Sequence, residues 1–137
     1  MKNTISIIIV LFAISFSAYA QNNQSLQDRQ KESKIQPVLS LEDIVFAYNT
    51  LNTVEINGGE VDAFVEVRAL LADKVKVAKD AGKTATDQIT VEMNLLMAQN
   101  FFNLIARAKI TGAQADQYKR VQDAITNAAK KLKEEGK

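Results

Sequence analysis

From Glu60 to the C-terminus, apolar side chains return every three or four residues, and this spacing constrains the fold more than any other feature of the chain. Val61, Phe64, Val67, Leu71, Val75 and Ala78 fall on one side of a helical projection, and Asp62, Glu66, Asp73, Lys76 and Asp80 on the other. The pattern predicts a helix over about 60–81 with Gly82 past its end. Asn57-Gly58-Gly59 breaks the chain before it, because Asn and Gly tolerate positive φ at little cost. An Asn-Gly pair between Val54-Glu55-Ile56 and Val61-Asp62-Ala63 is also a hairpin signal, so 54–65 stays open between helix-turn-helix and β-hairpin. A hairpin would set Phe64 on the same face as Asp62 and Glu66, which makes the helix the better pattern.

Three further helices follow from the same reasoning. Ser40 and Asp43 have the spacing of an N-cap and an acidic third position, opening a short helix to about residue 52 on Ile44, Tyr48 and Leu51. Thr84 or Thr86 is placed to cap a third helix over about 87–109. There Val91, Met93, Leu95, Met97, Phe101, Phe102, Leu104 and Ile105 cover over half the circumference, so this helix is expected at the centre of the core. Thr111 and Gln114 have capping-box spacing before a last helix with a narrow stripe of Tyr118, Val121, Ile125, Ala128 and Leu132. Lys130, Lys131 and Lys133 sit near its end, where the helix dipole favours cations, and the chain should fray at Gly136 and Lys137.

The fold class expected is all-α: a small up-down bundle of about four helices, the first one short, over residues 40–137. The alternative is a three-helix array with the first helix packed across it. Two segments precede the bundle. Residues 1–20 read as a cleavable signal peptide, with Lys2, an apolar run from Ile5 to Phe16, and Ala18 and Ala20 flanking Tyr19. Residues 21–39 are polar, Gln-rich and contain the only proline, Pro37, which reads as a flexible leader with order beginning near Pro37. The implied location is periplasmic or secreted, with no stable membrane anchor after cleavage.

Composition then narrows the chemistry. The chain has no cysteine, so an exported fold must rest on core packing instead of disulfides. It has no histidine either, which removes the usual general base near neutral pH and the commonest transition-metal ligand. Ser-His-Asp and Cys-His arrangements are therefore impossible, and no motif for carboxylate, Lys, Tyr or Ser chemistry stands out. The expectation is a chain that is not an enzyme and holds no cofactor or metal. Of 17 basic and 16 acidic residues, only Lys2 lies in the signal, so the mature chain is formally neutral and has no global field to draw nucleic acid.

The residues singled out for interaction lie mostly on the third predicted helix. Glu92, Gln99, Asn103 and Arg107 gather in its polar arc, as a groove lining, a buried network, or a face turned to water. Met97, Phe101 and Phe102 form either an adaptable apolar surface or ordinary core. Arg68, within the apolar side of the second helix, either snorkels to solvent or anchors a partner. The stretch Ile110-Thr111-Gly112-Ala113-Gln114 is similar to the Leu-Thr-x-x-Gln signature of small helical periplasmic stress chaperones. It covers five residues, occurs once instead of twice and has Ile for Leu, and any capping box after an apolar residue has this form, so no family is assigned. The function expected is an exported helical protein-binding module (adaptor, inhibitor or chaperone-like) whose partner is another envelope protein or itself. The alternative is a carrier or sensor of a small apolar ligand held between helices.

Overall fold

The computed structural model describes residues 26 and 28–135. The signal expected at 1–20, residues 21–25 and 27 of the expected leader, and the fraying expected at 136–137 lie outside the described residues. Four helices form a small bundle: α1 (Leu41–Leu51), α2 (Val61–Asp80), α3 (Leu95–Ile105) and α4 (Ala115–Glu135). Residues 28–32 add a short helical stretch. Four short strands are woven between these: β1 (Lys34–Ile35), β2 (Val38–Ser40), β3 (Gln88–Thr90) and β4 (Met93–Asn94).

The helix ends follow local chemistry. Ser40 Oγ accepts the Asp43 backbone N–H at 3.2 Å and starts α1. The next orphan amides are taken up from across the chain, with Leu41 N–H donating to Asp87 O at 3.0 Å and Glu42 N–H to Ala85 O at 2.9 Å. At Asn57 the alternative closes in favour of helix. A capping box joins Asn57 and Glu60, a turn of 3-10 helix spans Gly58–Glu60, and α2 follows without a strand. The other end of α2 is a Schellman motif: Lys83 N–H donates to Ala78 O and Gly82 N–H to Lys79 O, both at 2.9 Å, with Gly82 at φ 70°. Thr111 and Gln114 form the expected capping box before α4.

Two expectations need correction. Residues 34–39 are not part of a flexible leader, because they pair antiparallel with 88–94. Lys34 faces Asn94, Ile35 faces Met93, Val38 faces Thr90, Leu39 faces Ile89 and Ser40 faces Gln88. All these pairs share one register, which places Pro37 opposite Val91. Pro37 has no N–H to give, yet its carbonyl accepts from Val91 N–H at 2.9 Å and keeps the ribbon continuous. Ile35, Pro37, Leu39, Val91 and Met93 are buried on the inner face. Lys34, Gln36, Val38, Thr90 and Glu92 are exposed on the outer one.

For the same reason the third helix does not begin at 87. Gln88-Ile89-Thr90-Val91-Glu92-Met93-Asn94 alternates polar and apolar with period two, a strand pattern hidden when the segment is laid on a helical projection. Helix α3 starts only where Asn94 Oδ1 accepts Met97 N–H at 2.7 Å. With α3 reduced to 11 residues, the centre of the core passes to α1. Helix α1 packs against α2, α3 and α4 and buries Leu41, Ile44, Phe46, Ala47 and Leu51. The ribbon packs against α4, and Val67, Leu71, Phe101, Ile105, Val121 and Ile125 complete the core.

Candidate functional site: a groove between α3 and α4

Helices α3 and α4 are consecutive but touch sparingly, since each packs mainly elsewhere: α3 on α2, and α4 on α1 and the ribbon. The space left between them is a groove of about 480 Å³, open to solvent. On the α3 side it is lined by Leu95, Ala98 and Phe102, at i, i+3 and i+7, with Gln99 and Asn103 one step around the helix. On the α4 side it is lined by Ile125 and Ala129, at i and i+4, followed by Lys130 and Lys133, with Thr126 beside them. Ala98 and Ile125 are buried and form the floor. Leu95, Phe102 and Ala129 are half-buried, and the amides and ammonium groups are exposed. Gln30, from the helical stretch at 28–32, also reaches the groove.

The residues expected to act together are divided by the fold. Gln99, Phe102 and Asn103 line the groove. Phe101 points the other way into the core and is 0% exposed, so it offers no interaction surface. Met97 is half-buried against that core. Glu92 is not on a helix at all. On the outer face of the ribbon it accepts Lys34 Nζ at 2.7 Å and Gln36 Nε2 at 3.3 Å, and the Lys34 hydrogen bond, chiefly, holds its carboxyl below the ordinary value. Arg107 lies beyond the end of α3 and pairs with Glu60 at 3.0 Å, tying the segment after α3 to the start of α2. Glu60 is held low first by the Asn57 backbone N–H at 2.8 Å and then by Arg107. Arg68 is exposed and lies over the Phe64 ring, 5.7 Å from its centroid, a cation–π contact along the edge of the core.

Leu95, Ala98, Thr126, Ala129, Lys130 and Lys133 did not stand out as a set in the sequence. Their signal was present on α4, where Ala129 and Lys133 continue from Ile125 every four residues, beside the rest of the core stripe. Only the splay of α3 from α4 makes that second row a wall.

A second cleft, of about 370 Å³, lies between α1 and the start of α4, around Val45, Phe46, Asn49 and Ile110. Much of its polar wall is already committed to the fold. Gln117 Nε2 donates to Glu42 O at 3.1 Å, Gln114 Oε1 accepts in its capping box, and Thr53 Oγ1 donates to Thr50 O at 2.7 Å. That cleft is a seam between elements, whereas the α3–α4 groove presents apolar surface together with polar groups that make no side-chain hydrogen bond among the described residues. Among the described residues, no cluster of three or more acidic side chains is placed to hold a metal ion, and no helix is long and apolar enough to cross a membrane. The chain matches no known protein-family model, and neither a curated protein nor a solved structure is detectably similar to it.

Proposed function

We propose that this is an exported, non-enzymatic binding protein that takes hold of a partner protein through the α3–α4 groove. The observation that carries the reading is the groove itself, where Leu95, Phe102 and Ala129 leave apolar surface uncovered between two helices, above a floor of Ala98 and Ile125. A concave apolar surface with a few convergent polar groups is where a binding site is expected first. Export rests on the signal at 1–20, and the non-enzymatic character on a chain without histidine or cysteine. A partner is another envelope protein or a second copy.

The test is a photo-crosslinking residue at Phe102 in the protein in its own envelope, with the same residue at Asn127, exposed on α4 outside the groove, as control. The expected result is a specific adduct from position 102 that is absent from 127 and lost when Ala129→Arg fills the groove. A protein that stays monomeric and gives no such adduct overturns the proposal. The same groove supports a second reading, a carrier of a small apolar ligand, because its volume lies within the range of small-molecule sites. Native mass spectrometry of the exported protein tests it: a bound small molecule displaced by Ala129→Arg supports it, and an unliganded mass is against it.

A further inference from the structure

We infer that the α3–α4 groove selects an acidic amphipathic helix of its partner, an inference that rests on the protein-binding reading above. The floor is laid out for a helix. Leu95, Ala98 and Phe102 on one wall, and Ile125 and Ala129 on the other, follow helical rows, and such rows accept the i, i+3, i+4, i+7 anchors of an incoming helix. The small Ala98 and Ala129 leave room in the middle, so a bulky side chain can descend between the walls. From Leu95 to Asn103 the α3 wall runs for about 12 Å, which is roughly two turns of a docked helix. The openness of the trough also favours a helix. A small ligand would leave much of its surface wet, while a helix covers the trough with its own backbone and polar face.

Charge chooses the kind of helix. Among the described residues, the charged groups lining the groove are the ammonium groups of Lys130 and Lys133, and no carboxylate lines it. Among the described side chains neither lysine is held in an ion pair, so both ammonium groups are open to an incoming carboxylate. The opposite rim carries Gln99 and Asn103, whose amides donate to carboxylates without adding repulsion. A partner helix with Asp or Glu beside its apolar row meets complementary charge on one rim and donors on the other. A helix with Lys or Arg there meets like charge, and that repulsion supplies the discrimination.

The probes are two fluorescein-labelled synthetic amphipathic peptides with the same Leu and Ala row, one flanked by Glu and the other by Lys. Each is titrated into the exported full protein at low salt, with fluorescence anisotropy as readout. The Glu peptide should bind at least about tenfold more tightly than the Lys peptide, a difference of about 1.4 kcal/mol. Lys130→Glu/Lys133→Glu should reverse that order, and Phe102→Ala should weaken the Glu peptide while circular dichroism shows the fold kept. Equal binding of the two peptides, no binding of either, or a preference that survives the charge reversal overturns the inference. Binding of free oleate with neither peptide bound also overturns it and assigns the groove to a lipid. The two proposals fail separately. A position-102 crosslink that persists in Lys130→Glu/Lys133→Glu keeps the protein-binding function and rejects the acidic partner.

Discussion

Arg120 grips Asp43 with two hydrogen bonds, Nε to Oδ2 at 3.1 Å and Nη2 to Oδ1 at 2.8 Å, and so joins the first turn of α1 to the last helix. The Asp43 side chain is only 5% exposed while Arg120 remains half in solvent. A buried carboxylate at the first turn of α1 gains from the helix dipole and from this fork of donors. Removing the arginine leaves that carboxylate desolvated without a partner. Arg120→Met should therefore lower the melting temperature clearly, and Asp43→Asn/Arg120→Met should cost less than the two single changes added together. Strict additivity in thermal melts followed by circular dichroism would show that the pair is not coupled.

The ribbon makes a second prediction, at residues whose local sequence reads as a tail. Ile35 and Leu39 are each 2% exposed. Truncating either to Ala should destabilise the protein by about 2–5 kcal/mol, as for other buried aliphatic residues. Gln36→Ala, on the exposed face one position away, should stay within about 0.5 kcal/mol. Urea unfolding of the three variants measures this, and equal midpoints for Ile35→Ala and the wild type would place residue 35 outside the core.

Gly82 provides a test of backbone conformation alone. Its φ is 70°, and a Cβ built there meets nothing within 4 Å. Gly82→Ala should accordingly cost about 1–2 kcal/mol from the left-handed conformation, with no steric part, and Gly82→Asn should cost less. If Ala proves as stable as Gly in denaturant melts, the Schellman turn does not persist in solution.

Acid should weaken the fold through three carboxylates. Asp87 is held below its ordinary 3.8 chiefly by the Thr84 backbone N–H at 2.6 Å. Glu60 is held below 4.5 first by the Asn57 backbone N–H, and Glu92 below 4.5 first by Lys34. A carboxyl whose value is depressed on folding contributes its full stability above the unfolded value and loses it as pH falls through the folded one. Melting temperature should thus be level with pH above these ordinary values and fall below them. Glu60→Gln/Asp87→Asn/Glu92→Gln should flatten that acid limb, and an unchanged limb would mean that these contacts are not formed in solution.

How far the structure was legible depended on the range of the interaction. Ser40 with Asp43, Asn57 with Glu60 and Thr111 with Gln114 were readable because a cap is completed within a single turn. Gly82 was readable because a left-handed helix end asks for glycine. The alternation at 88–94 is not legible as a strand in isolation, because its partner at 34–40 is remote in sequence and an apolar-rich stretch that continues into α3 also satisfies a helical template. At the groove, Gln99 and Asn103 are legible in the polar arc of the third helix and Phe102 in its apolar one, but not their meeting at one site. Glu92 and Arg107 share their arc only on a helix of 87–109, and α3 ends short of both.

The amino-acid sequence by itself determined the helical character of the chain, the punctuation of its helices and the chemistries it lacks, since each depends on residues near one another or on side chains that are absent. Tertiary structure alone decided that residues 34–39 of the supposed leader form a core strand, that α1 and not α3 is central, and that α3 and α4 part to leave a groove. These outcomes turn on which apolar faces bury one another across long stretches of chain. Packing is a competition among all such faces at once, and no local window of the sequence contains it.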